Sequence, residues 1–364
     1  MPPKIAKKLS VLKPVPSDVV GAGGIPNFGV YRGIPAEIDY SGLSKPYSRD
    51  RLGTFLRHKR WIYVFAETAE VIVVAAIADA GPTGTAFVMA VDRQSGAIIA
   101  DTSRPGAVRP FVSVNASPAA GHASHYFGPG TAATVIGSDN KLRMKLAVHR
   151  LPYLPMISKP WIELDVALDI TSHPGMTAVA NLDLDEPLAS ATSKNAALAT
   201  TGKLTVRESG ETRKWSLAKG LGGFDYTSGY LPRHTSWHWA FGMGRTTDGR
   251  SIAINLSSGF VGIVGRAEEN CCWLDGKLSL LNPDADISYD KQDPLSEWTV
   301  RTADRTLDLR FQPIAVHHED LNLGLLRSYF MQPVGQFTGT LKVGNETLQL
   351  AKLAGVVEHQ DVLW

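Results

Sequence analysis

The stretch GGFDYTSGYLPRHTSWHWAFG, residues 222–242, gathers an aspartate, an arginine, two histidines, two tyrosines and two tryptophans. If it forms a strand, alternation puts Arg233, Thr235, Trp237 and Trp239 on one face and His234, Ser236, His238 and Ala240 on the other. A guanidinium beside two indoles can stack on them and donate in a planar fork to a carboxylate, a carbonyl or a developing negative charge. It can equally pair with Asp225 and seal one end of a barrel, as structural ion pairs do. Upstream, Gly222, Gly223 and Gly229 suggest a flexible corner presenting Asp225 and Tyr226 at a barrel mouth, a common ligand site. Burial among aromatics favours the neutral form of an acid and makes it a proton donor, while a nearby arginine opposes that shift.

A second constellation, EENCCWLDGK, puts Glu269, Cys271 and Trp273 on one face and Asn270 and Cys272 on the other. Glu269 beside an indole is another candidate acid, and Asn255 in AINLSSG is a polar anchor on a neighbouring strand. The adjacent cysteines lack Cys-x-x-Cys spacing and sit in an apolar strand, which points to inert thiols in a reducing, cytoplasmic setting. His234 and His238 share a face, but a zinc site needs a third protein ligand, and neither HASH at 122–125 nor His317-His318 forms a recognised motif. No metal is expected. His238 then stands either as a general base between two tryptophans or as an exterior histidine. No Walker loop, GxGxxG turn, GxSxG elbow or HExxH helix occurs, so the commonest nucleotide, hydride, serine-hydrolase and zincin chemistries are excluded and no cofactor is called for.

These side chains need a scaffold, and the chain supplies strands. Short β-branched segments such as WIYVFAE, VIVVAAIAD, TAFVMAVDR, KLRMKLAVHR, SIAINLS, FVGIVGR and LDLRFQP are separated by Gly or Pro, the texture of an antiparallel meander. Only ATSKNAALATTG hints at a helix, and it is rich in Thr and Gly. Residues 60–101 and 236–281 share an order of elements: Trp61 to Gly81 spans 20 residues and Trp237 to Gly259 spans 22. A repeat at about 176 residues is too long for a solenoid unit and indicates a duplicated β domain. The expected organisation is an extended arm over 1–50, a first barrel-like domain over 51–190 and a second over 191–364, with a polar linker near 180–200. The 364 residues carry 37 basic and 35 acidic side chains, so no whole-protein field favours nucleic acid. No apolar window is long enough to span a bilayer as a helix, and the N-terminal segment has no secretory core.

GGFDYTSGYLPRHTSWHWA, followed in order by IAINLSSG, EENCCWLDG, LDLRFQP and QPVGQFTGTL, closely resembles the family called domain of unknown function 2804. The likeness runs from about Arg60 to the end and is strongest over 220–340. The resemblance implies an all-β fold of two lipocalin-like, calycin-type antiparallel barrels or half-barrels. It also implies a distant relation to carotenoid hydratases, tocopherol cyclase and Diels-Alder cyclases, which act on apolar substrates without a redox cofactor. Asp225, Tyr226, Arg233, Trp237 and Trp239 lie on the family motif.

The leading expectation is a cofactor-independent isomerase, cyclase, hydratase or lyase acting on a largely apolar terpenoid, polyketide or lipid. Asp225 or Glu269 would exchange the proton, with Tyr226 and Arg233 holding an oxygen. Trp237, Trp239 and Trp273 would line the cavity, with Asn255 and Asn270 as anchors. The alternatives are a non-catalytic lipid or terpenoid carrier, a hydrolase using water activated by His238 or a carboxylate, and a purely structural duplication.

Overall fold

The computed structural model describes residues 12–119, 123–138, 140–150, 158–183, 185–259, 269–282, 284–322, 324 and 326–364. The described residues form two lipocalin-like antiparallel sheets, one curled into a near-barrel and one into a half-barrel. Strands from Gly29–Arg32 to Leu221–Tyr230 belong to the first sheet, and those from His234–Arg245 to Glu346–Leu363 to the second.

Both sheets follow one plan. The first runs as a meander through His58–Glu67, Val71–Asp79, Gly84–Asp92 and Ile98–Ala107. Beside its opening strand lies the last strand of the segment, Leu221–Tyr230, followed by Ala189–Glu208 and Ile162–Asp169. The second repeats this with His234–Arg245, Ser251–Ser258, Cys271–Leu274 and Lys277–Leu280, then Glu346–Leu363, Arg327–Val343 and Leu307–Asn322. The hairpin WLDGK turns on Asp275 and Gly276, at φ 48° and 75°, the paired left-handed residues that match strand twist.

The chain passes between sheets at residues 231–233, well beyond the 190/191 division expected from composition. The polar segment expected as a linker instead opens the strand Ala189–Glu208, which also contains ATSKNAALATTG. Extended pairing along both edges overrides the weak helical hint there, and a bulge between Asn195 and Leu198 places Ala197 at φ 58°. FVGIVGR, expected as a strand, lies outside the described residues, as do His122 of HASH and residues 1–11 of the arm. Over its described part, the arm sends Ile38, Tyr40 and Leu43 into the first barrel's core and adds the strand Gly29–Arg32 to Met176–Asn181.

Among the described residues, three apolar clusters account for the packing. One fills the first barrel and includes Ile62, Val64, Phe224 and Tyr226. Another fills the second and includes Ala240, Ile254, Cys272 and Phe311. The third lies between the sheets and includes Tyr63, Phe65, Val74, Trp239, Phe241, Cys271 and Trp273. Strands of the shared wall therefore bury both faces, which is why VIVVAAIAD reads as a continuous apolar run rather than an alternating one.

The duplication is visible in side-chain contacts across this interface. The interval relating Trp61 to Trp237 also relates Tyr63 to Trp239 and Phe65 to Phe241, and each of these pairs touches its counterpart. Trp61 and Trp237 stack with ring centroids 5.9 Å apart and planes at 8°. Tyr63 meets Trp239 edge-on at 5.3 Å, and Phe65 meets Phe241 edge-on at 6.1 Å. Gly223 lies inside a strand rather than at a flexible corner. A Cβ there would come within 2.7 Å of the Phe241 ring, so glycine permits the close approach of the sheets. Among the described residues, no helix is long and apolar enough to cross a membrane.

Candidate functional site

A cavity of about 540 Å³ opens in the interface between the two sheets rather than within either barrel. Its walls are mostly apolar: Trp61, Ala76, Phe87 and Val179 from the first sheet, Trp237, Trp239 and Phe330 from the second. Lys194, Asp225, Glu269 and Glu358 also line it. Strand alternation selects them. On Leu221–Tyr230, Asp225 and Thr227 face the cavity while Phe224 and Tyr226 enter the barrel core.

Asp225 lies opposite Tyr63 on one side and Lys194 on the other in strand register. Its Oδ1 is 2.7 Å from Lys194 Nζ and accepts a hydrogen bond from Thr192 Oγ1 at 3.1 Å. Its Oδ2 accepts from Trp61 Nε1 at 3.2 Å. Lys194 also approaches Glu269 Oε2 at 3.7 Å and lies 5.2 Å from the centre of the Trp239 ring. Burial works against the ammonium, but the negative charges of Asp225 and Glu269 outweigh it and hold the lysine above its ordinary pKa. The two carboxylates thus favour the ammonium form of Lys194.

Glu358 is positioned in the second sheet as Asp225 is in the first. It lies opposite Trp239, its Oε1 accepts from Trp237 Nε1 at 2.8 Å, and its Oε2 accepts from Gln332 Nε2 at 2.7 Å. The Gln332 carbonyl accepts in turn from the Tyr63 hydroxyl at 3.2 Å. Burial pushes the Glu358 carboxyl up to about 7, the two hydrogen bonds pull the other way, and the Asp225 charge adds to the rise.

The structure brings together Asp225, Glu269, Trp237 and Trp239 from the expected set and separates the rest. Tyr226 points into the first barrel, where its hydroxyl donates to the Asn115 carbonyl at 2.7 Å and burial pushes it up to about 12. Arg233 precedes the strand and is exposed, so the cation beside Asp225 is Lys194 instead. His238 stands on the opposite strand face, 4.5 Å from the His359 ring, and burial pulls it down to about 4. His234 is exposed and bonded to Asp361.

The two asparagines and Trp273 are structural. Asn255 Oδ1 accepts from Trp239 Nε1 at 2.8 Å and its amide donates to the Glu269 carbonyl, so it orients one wall and one acid without lining the cavity. Asn270 accepts from the Ser257 backbone N–H at 2.7 Å, and Trp273 donates to the Pro174 carbonyl at 3.0 Å. Burial raises both thiols, Cys272 to about 12, as expected of unreactive cysteines.

Lys194, Gln332 and Glu358 escaped sequence reasoning. Lys194 sits in a segment whose polarity suggested a linker. Glu358 carried a readable signal, because VVEHQDVLW sets a carboxylate among valines on one strand face.

Fold and cavity together define a two-domain lipocalin-like β protein with its pocket between the domains. The chain belongs to the family described as domain of unknown function (DUF2804), whose profile matches residues 13–364. Comparison with curated proteins gives no match. Among solved structures, one provisionally assigned as AttH, from Nitrosomonas europaea, is similar at 12% identity and a TM-score of 0.51, covering 88% of this chain and 98% of that one. Kievitone hydratase from Nectria haematococca is similar at 13% identity and 0.47, covering 86% and 93%. CghA, solved with Sch210972, is similar at 13% identity and 0.41, covering 96% and 97%.

Proposed function

We propose that the protein binds a largely apolar small molecule between its two barrels and performs non-redox acid–base chemistry on it, of the isomerase, cyclase, hydratase or lyase type. The observation that supports this reading is an apolar cavity into which Asp225, Glu269, Glu358 and Lys194 converge. Its volume lies within the range of about 300–1,000 Å³ typical of drug-sized ligands. Water exclusion by the indole walls strengthens charge interactions at that cluster and holds a flexible ligand in one conformation. Positioned proton transfer of this kind contributes about 10²–10⁴-fold to rate.

The test is native mass spectrometry with organic extraction of the purified protein, comparing wild type with a cavity-filling Ala78→Phe variant whose fold is checked by circular dichroism. An apolar compound should accompany wild type and be missing from the variant. Incubated again with wild type, it should yield an isomer or a hydrated or dehydrated product, and Asp225→Asn/Glu269→Gln should slow that conversion. An identical extract from both proteins would remove the cavity as the ligand site. A bound compound recovered unchanged would establish a carrier instead.

A further inference from the structure

The duplication places an acid at matching points in its two halves but gives the two acids different neighbours. Asp225 faces Tyr63, accepts from Trp61 and meets Lys194 on the adjoining strand. Glu358 faces Trp239, accepts from Trp237 and meets Gln332 on the adjoining strand. Lys194 and Gln332 therefore occupy corresponding places, with an ammonium against one carboxyl and an uncharged amide against the other. The amide supplies one N–H but no compensating charge, and a negative Glu358 would add to the negative charge already carried by Asp225.

We infer that Glu358 enters the cavity as a neutral carboxylic acid and donates its proton to a carbonyl oxygen or electron-rich double bond of the apolar ligand, while Asp225 remains the anionic partner of Lys194. The inference rests on the reading of this cavity as the ligand site. Asp225, which raises this acid, and Lys194, which lowers it, are the charged groups facing it from the first sheet; Glu269 acts on Lys194, and Glu358 in turn raises the Tyr63 hydroxyl. The upward displacement of Glu358 to about 7 agrees with the geometry.

In a full transfer, the Glu358 O–H bond breaks and its electron pair stays on the carboxylate, while the ligand's π or lone-pair electrons form the new C–H or O–H bond. Return of a different ligand proton to Glu358 completes an isomerisation with no co-reactant. A ligand lacking a proton acceptor would make only apolar contacts here.

The experiment is infrared spectroscopy of the full chain at pH about 6, where ordinary carboxyl side chains are ionised. Wild type should show a protonated-carboxyl C=O band that is lost in Glu358→Gln at every pH, whereas Asp225→Asn, which removes a negative charge that raises the acid, should keep the band and move its titration to lower pH. Gln332→Lys should move the band's titration to lower pH, and Gln332→Leu, which removes a bond that favours the anion, should move it to higher pH. A purely structural role for Gln332 would not produce opposite shifts.

Adding β-ionone, an apolar enone, should quench tryptophan fluorescence and lower the band's frequency as the acid hydrogen-bonds to the carbonyl. A band surviving Glu358→Gln overturns the assignment, and a band unmoved by bound β-ionone overturns the donor role. Failure of β-ionone to quench overturns the ligand class. None of these readings requires turnover, so their failure is distinguishable from a failure to find a reaction.

Discussion

The Trp61–Asp225–Lys194 and Trp237–Glu358–Gln332 sites are two versions of one design, and they differ in the charge of one side chain. In both, an indole N–H from the opening strand binds an acid on the neighbouring strand, and a third strand supplies a second donor. Where that donor is ammonium, the acid belongs to an ion pair. Where it is an amide, burial raises the acid towards neutrality. A duplicated scaffold can thus hold an anion and a neutral acid side by side in one cavity, and environment rather than residue type separates their roles.

The most damaging way to break the contrast is to remove the cation. Lys194→Met would leave Asp225, which is 6% exposed, and Glu269 without their ammonium. Loss of one partner from a buried pair costs about 3–5 kcal/mol, because a charge remains uncompensated. Urea unfolding at neutral pH should show a loss of that order, and a loss below about 1 kcal/mol would mean that the pair adds little to the first half.

The second half should respond in the opposite direction. Folding raises the Glu358 pKa from 4.5 to about 7, so the folded state holds this proton more tightly than the unfolded chain. Its favourable contribution is therefore present at low pH and is lost as pH rises through about 7. Glu358→Gln removes that dependence. Between pH about 4.5 and above 7, stability of the variant relative to wild type should rise by roughly 3 kcal/mol. A constant difference across that window would contradict the description of Glu358 as a buried neutral acid.

The scaffold was more legible than the chemistry. Repeated Trp-x-aromatic strands and Gly-punctuated β-branched runs disclosed a duplicated all-β fold, because strand periodicity and turn chemistry are local. Alternation also put Trp237 and Trp239 on the opposite face from His238, as the structure does. What one strand cannot disclose is which strands become its neighbours. Lys194 reaches Asp225 through antiparallel pairing of Ala189–Glu208 with Leu221–Tyr230, and Glu358 reaches Trp237 across the pairing of the chain's last strand with His234–Arg245. Arg233 is close to the tryptophans in sequence, yet the strand begins only after it. The glycines misled for a related reason: Gly223 answers to a Phe241 ring in the other sheet, which local sequence cannot show.

The flanks of the interface carry the charge contrast in a weaker form. On one flank, His317 from Leu307–Asn322 bonds Asp101 of the first sheet at 2.6 Å through Nδ1 and Glu319 at 3.0 Å through Nε2, with Ser103 bonded to the same glutamate. On the other flank the link is neutral, from Trp273 of the second sheet to the Pro174 carbonyl of the first half. Burial opposes charge on His317, but bonds to the two carboxylates prevail and raise its pKa from 6.5 to about 9. The resulting stabilisation is fully present below 6.5 and is lost as pH rises through about 9. Partial exposure of Asp101 and Glu319 reduces its expected size to about 1–2 kcal/mol. His317→Gln should therefore be less stable than wild type at pH about 6, and the difference should close towards pH 10 as the wild-type imidazolium loses its proton. Hydrogen exchange in Ile98–Ala107 would localise the effect, because that strand carries Asp101 and Ser103. A difference independent of pH would mean that His317 joins the barrels by packing on Phe87, its stacked neighbour at 5.0 Å, rather than through its charge.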